Sequence, residues 1–157
     1  MVLLTRKIEF SASHRYDNPN LSPEENRRVF GKCNNPHGHG HNYTLEVTVA
    51  GEPSPVTGMV LDLKDLKDLL EREIMQRMDH RNLNVEVPEL AGKIPTCENL
   101  ALVIWNLLEP KIPAGKLHRV RLYESADLFA DCYRAAASNG HAPSVKAANS
   151  PSAKAGN

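Results

Sequence analysis

The stretch NYTLEVTVA (42–50) alternates Tyr43, Leu45, Val47 and Val49 against polar partners. That is the period of a half-buried strand. The strand is entered through His37-Gly38-His39-Gly40-His41, so three histidines lead directly into it. In extended chain, side chains two apart point to one face, and two of these histidines can reach one ion. Gly38 and Gly40 then turn their empty side to the opposite face and allow close backbone approach. A third ligand must come from elsewhere. His14 is the best candidate, at the end of a first strand, LLTRKIEF (3–10), that runs into SASH. Two neighbouring antiparallel strands would place it beside His39 and His41.

The rest of the chain alternates between the two periods. Residues 17–32 are polar, carry Pro19 and Pro23, and read as a long loop with room for one helical turn. Gly51–Gly58 is a turn region, and Met59–Leu61 a short extended piece. Asp62 is a helix N-cap, and Leu63, Leu66, Leu70, Ile74 and Met78 mark an amphipathic helix over 63–78. Thr96 caps a second helix, marked by Leu100, Val103, Ile104, Leu107 and Leu108 and stopped near Pro110. Residues 117–124 alternate again, with Val120, Leu122 and Glu124 on one face, and Asp127–Tyr133 is the last strand. The order predicts an α+β domain: a four-stranded antiparallel sheet with two helices on one face. Such a sheet leaves two open edges, which predicts an oligomer joining sheets edge to edge.

At 157 residues, with 41% apolar and 24% charged residues, the chain suits one globular domain. The formal net charge is zero, which gives no support to nucleic-acid binding. No apolar run reaches the ~20 residues of a membrane span. MVLLTRKIEF does not read as a signal peptide, so the expected location is cytoplasmic. Three cysteines argue against a disulfide framework. Residues 135–157 hold no aromatic residue and one large aliphatic, Val145, so the domain is expected to span 1–134 and the tail to be disordered.

Three imidazoles suit Zn²⁺ and leave a fourth position open, whereas a closed structural site would add a fourth protein ligand such as Cys33. Cys33 otherwise reads as a base, given a cation, metal or histidine to ionise it. Asp79-His80 offers a histidine tuned by a carboxylate, or simply a cation favoured at a helix end. Glu124 either faces the interior, where a ligand with N–H donors would satisfy it, or is a strand-end glutamate turned to water. Glu98, in the first turn after Thr96, reads first as a capping group. Cys97 and Cys132 read as structural.

FSASH (10–14), CNNPHGHGHNY (33–43), MDHRNL (78–83), PTCEN (95–99) and LYES (122–125) together resemble the 6-pyruvoyl-tetrahydropterin synthase family, over roughly residues 5–134. The resemblance implies the tunnelling fold, in which sheets from three subunits close into a barrel and two trimers stack into a homo-hexamer. It implies a catalytic zinc on His14, His39 and His41, and Cys33 as the base. Asp79 and His80 would be its relay partners, reaching across a subunit boundary. Glu124 would anchor the pterin ring, helped by Thr96 and Glu98. The implied substrate is 7,8-dihydroneopterin triphosphate, with triphosphate eliminated and no nicotinamide needed. Arg15, Arg27, Arg28 and Lys32 are candidates to receive the triphosphate. The histidine run allows two spacings from Cys33. C-x3-HGH resembles the branch that makes 6-carboxytetrahydropterin for queuosine precursors and releases acetaldehyde; C-x5-HGH resembles the pyruvoyl branch. Asn42-Tyr43 fits the second, with His37 a bystander. A zinc-stabilised binding module without catalysis is the reading of another class.

Overall fold

The computed structural model describes residues 1–134 and the backbone of 145–147. Strand β1 (Val2–His14) and strand β2 (His39–Gly51) pair antiparallel over thirteen residues each, from Val2 opposite Gly51 to His14 opposite His39. Strand β4 (Lys116–Tyr123) adds to β2, and β5 (Phe129–Tyr133) adds to β4, both antiparallel. These are the four strands expected from the alternation. Two short pieces extend them: β3 (Arg81–Asn82) runs parallel to the end of β1, and β6 (Val145–Ala147) pairs antiparallel with β5. The sheet is therefore mixed and six-stranded, in the order β3-β1-β2-β4-β5-β6, rather than four-stranded and antiparallel. A two-residue ladder is too short to leave a periodic signal, and this is why β3 was not anticipated. Apart from β6, the expected disordered tail lies outside the described residues.

The alternation places the core. Tyr43, Leu45, Val47 and Val49 of β2 are buried on one face with Val120 and Leu122 of β4. Three longer helices accompany the sheet. Helix α1 (Pro23–Phe30) lies in the segment expected to be mostly loop. Its start is a capping box: Glu25 N–H donates to Ser22 Oγ at 3.2 Å, and Ser22 N–H donates to Glu25 Oε2 at 2.9 Å. Buried Asn26 ties the preceding loop to this helix by donating to the carbonyls of Asn18, Leu21 and Ser22. A 3₁₀ turn, Gly31–Asn34, follows and carries Cys33.

Helix α2 (Leu63–Leu70) is capped by Asp62, whose carboxylate accepts from Lys64 N–H at 2.8 Å. It passes through a π turn (Glu71–Met75) into α3 (Gln76–Met78). Leu66, Leu69, Leu70, Ile74 and Met78 are buried; Leu63, expected on the same face, stays half exposed at the first turn. Helix α4 (Cys97–Leu108) is capped by Thr96 Oγ1, which accepts from Asn99 N–H at 3.2 Å. Among the described residues, no helix is long and apolar enough to cross a membrane.

The π turn aims Glu73 inward. Its side chain is 5% exposed, and it accepts from Lys111 Nζ at 2.6 Å, Arg72 Nε at 2.9 Å and Arg77 at 3.2 Å. The Lys111 hydrogen bond leads these cations in holding its carboxyl at about 2, below the ordinary 4.5. The folded value is depressed, so the contribution is complete above pH 4.5 and fades as pH falls through about 2. Glu73→Gln should cost about 1–2 kcal/mol at pH 7, since its partners are partly hydrated. Chemical denaturation at pH 7 and pH 2 checks this: the gap between variant and parent closes at the lower pH.

Candidate metal centre and active site

The β1–β2 register builds the centre. His14 sits directly opposite His39, and Ala12 opposite His41. One ring nitrogen from each of His14, His39 and His41 lies within 4.8 Å of the others. His14 Nε2 and His39 Nε2 are 3.1 Å apart. His14 is 1% exposed, and its Nδ1 lies 2.9 Å from the Pro95 carbonyl oxygen. A carbonyl only accepts, so Nδ1 carries the proton and the Nε2 lone pair faces His39. The Tyr43 hydroxyl braces the same nitrogen at 3.1 Å. The two glycines permit this approach. A Cβ on Gly38, at φ +70°, would lie 2.9 Å from the His14 carbonyl oxygen, and one on Gly40 would lie 3.0 Å from that of Ala12.

Burial, reinforced by the neighbouring histidines, pushes His14 down to about 4. Burial and His39 lower His41 as well. Both rings are neutral at pH 7, the form that ligates metal. His41 Nε2 is buried without a hydrogen-bond partner. An orphaned buried nitrogen is costly, and a metal ion would satisfy it. The donor set fits zinc, and three protein ligands leave a coordination position open. No thiol belongs to the cluster among the described residues. His37 is exposed, uses its backbone N–H on Asn35 Oδ1 at 3.1 Å, and lies outside the cluster.

Glu124 follows β4 on the face of Val120 and Leu122 and is 7% exposed, the inward of its two readings. Its Oε1 lies 3.5 Å from His41 Nε2, and its Oε2 accepts from the Tyr16 hydroxyl at 3.2 Å. Burial pushes the Glu124 carboxyl up, Tyr16 opposes this, and Glu98 adds to it. Thr96 is occupied as the α4 cap, and Glu98 stands exposed in that first turn. Cys97 donates to the Leu122 carbonyl at 3.2 Å and is pushed up to about 12 by burial; Cys132 rises to about 11 for the same reason. Both are structural thiols, as expected.

Cys33 shares a cavity of about 600 Å³ with His39. Burial, and the Glu124 charge, push its thiol up. The Asp79–His80 pair is formed, with His80 Nδ1 2.9 Å from Asp79 Oδ2. Ser11 clamps it through its backbone: its N–H donates to Asp79 Oδ1 at 2.8 Å, and its carbonyl accepts from His80 N–H at 2.6 Å. His80 holds a left-handed φ of 58°, the only described non-glycine residue with positive φ. Its side chain opens on a different cavity, one that also reaches His41. Within one chain, therefore, Cys33 and His80 line separate cavities, each touching a different histidine of the cluster.

The model of the family described as 6-pyruvoyl tetrahydropterin synthase matches residues 3–135. The chain belongs to that family. It is 52% identical over 122 residues to the 6-pyruvoyl tetrahydrobiopterin synthase of Homo sapiens, covering 78% of this chain and 84% of that protein. It is 29% identical over 149 residues to the 6-carboxy-5,6,7,8-tetrahydropterin synthase of Rickettsia felis, covering 83% and 99%. The solved structure of Caenorhabditis elegans 6-pyruvoyl tetrahydropterin synthase superposes with a TM-score of 0.81 at 36% identity, covering 85% of this chain and 96% of that one. The chain is thus an enzyme, a lyase of the 6-pyruvoyl tetrahydropterin synthase type, acting in pterin biosynthesis.

Tyr16, Tyr43 and Ser11 are the residues that sequence reasoning missed. Tyr43 shares the parity of His39 and His41, so the alternation already carried that signal. Tyr16 and the backbone of Ser11 left none. In this synthase-family chain, one divalent ion per chain is expected by metal analysis. His39→Ala should weaken binding about 100-fold or more, and His37→Ala should leave it unchanged. Equal losses in both variants would dissolve the assigned cluster.

Proposed function

We propose that the chain is a zinc-dependent 6-pyruvoyl-tetrahydropterin synthase acting on 7,8-dihydroneopterin triphosphate. The carrying observation is the 3.5 Å approach of Glu124 to His41. It sets an anchor for ring N–H groups beside three metal-ligand nitrogens, so a flat pterin held by Glu124 projects its side chain toward the metal.

Glu124 accepts the pterin N–H donors, which replace a poor contact with His41 by charge-assisted hydrogen bonds. Thr96 and Glu98 border the ring. Zinc, held by His14, His39 and His41, would supply Lewis-acid polarisation of the side-chain hydroxyls. Cys33, as the thiolate, takes a carbon-bound proton, and His80, oriented by Asp79, carries protons on the other side. Hydrogen moves from the side-chain carbons to the ring, and triphosphate leaves by elimination. No external reductant enters this balance. Burial and the Glu124 charge raise the Cys33 thiol, and a cation held by the three histidines would favour its thiolate.

Two observations favour the pyruvoyl product over the carboxy product. His39 and His41, not His37, join His14, which is the C-x5-HGH spacing. The human pyruvoyl enzyme is also far more similar than the Rickettsia carboxy enzyme. The binding-module reading needs Cys33 as a fourth ligand, and the cluster holds no thiol. We also propose the trimeric barrel and the hexamer of two stacked trimers. Among the described residues β1 pairs outward with β3 at Ala12 and Ser13, and the Ser11 backbone is engaged by Asp79 and His80, which leaves the Val2–Phe10 edge open for a neighbouring sheet. The separate cavities of Cys33 and His80 then meet across a subunit boundary.

Incubation of zinc-loaded protein with dihydroneopterin triphosphate should yield a pyruvoyl pterin by mass spectrometry, without acetaldehyde. A carboxy product with acetaldehyde would move the chain to the other branch. Cys33→Ala should keep its zinc and its melting temperature while turnover falls about 100-fold or more. Loss of zinc in that variant would remove the proposed role of Cys33.

A further inference from the structure

We infer that Arg27 and Lys32 form the cradle for the substrate's polyphosphate tail, an inference that rests on the proposed function. Both line the cavity of about 600 Å³ that also holds Cys33 and His39. Arg27 also lines the adjoining cavity of about 380 Å³, which reaches Arg15 and Asn18. A chain of anionic groups leaving the metal centre past Cys33 therefore meets Lys32 and Arg27 and has space to continue. Neither cation makes an ion pair among the described residues. By contrast, Arg15 is engaged by Asp17 at 3.0 Å.

A local reason also exists for basic residues here. Arg27 and Arg28 occupy the last turn of α1, where its dipole favours cations. That reason applies equally to both arginines. It does not explain why Arg27 and Lys32, from a helix and the following turn, converge on the cavity of the reactive thiol while Arg28 does not line it. Polyphosphate contacts of this kind hold substrate and leaving group alike. Their loss therefore raises KM far more than it lowers kcat.

The test compares Arg27→Ala/Lys32→Ala with the parent enzyme. KM for dihydroneopterin triphosphate should rise about 100-fold, roughly tenfold per charged contact, with kcat within about threefold. The inhibition constant of inorganic tripolyphosphate should rise in parallel, and the affinity for unphosphorylated neopterin should not move. Arg27→Lys/Lys32→Arg should recover most of the loss. Arg28→Ala removes one charge from the same helix turn and should leave KM within about twofold. Unchanged tripolyphosphate affinity in the double alanine variant would overturn the cradle. So would an equal loss of neopterin affinity, or an Arg28→Ala effect as large. Should the parent fail to turn over the triphosphate, the proposed function falls, and calorimetry with tripolyphosphate still decides the cradle. Binding by the parent that the double variant loses supports it; no binding by the parent overturns it.

Discussion

The antiparallel register of β1 and β2 is the constraint on which the rest depends. Fixing Phe10 opposite Tyr43 fixes His14 opposite His39 four residues on. A one-residue slip would turn every side chain of one strand to the other face. The stacked Phe10 and Tyr43 rings, 5.1 Å between centroids, and the unbroken apolar row behind them hold that register. The same row that stabilises the core thus aims His14, His39 and His41. Gly38 and Gly40 complete the arrangement by removing the side chains that would strike the β1 backbone.

The electrostatics of the site share one direction. His14 and His41 are neutral through burial, and Cys33 and Glu124 are both shifted toward their protonated forms. Each group is held in the form that a cation or an N–H donor would reverse. A divalent ion favours the thiolate, and pterin N–H groups favour the carboxylate. The Asp79–His80 pair is organised differently. Two hydrogen bonds with the Ser11 backbone and a left-handed backbone at His80 fix it at the sheet edge. Left-handed backbone on a non-glycine residue is a cost the surrounding structure must sustain, and here the Ser11 clamp sustains it.

The parts legible in the sequence are those governed by period and parity. Strand alternation located β2 and β4 and the face shared by Val120, Leu122 and Glu124; it gave His37, His39 and His41 one parity, and the family resemblance chose His39 with His41. The caps Asp62 and Thr96 placed both long helices. Parity could not show the third dimension of the site. Tyr16 reaches Glu124 across 108 residues of sequence, and Pro95 fixes His14 across 81. Helix α1 lies where polar composition, Pro19 and Pro23 predict a long loop with room for one helical turn, although Ser22-Pro23-Glu24-Glu25 is a helix start. The π turn that buries Glu73 is a one-residue shift in phase, too small to disturb the apolar stripe from which the helix was recognised.

The register brings one nitrogen from each of three imidazoles within 4.8 Å of one another, the donor set of an open metal centre. X-ray absorption at the zinc edge, on protein loaded with one zinc per chain, tests it most directly. The account predicts three imidazole nitrogens at about 2.0–2.1 Å, one light oxygen ligand and no sulfur. A sulfur shell near about 2.3 Å would contradict it, because Cys33 would then close the site as a structural ligand.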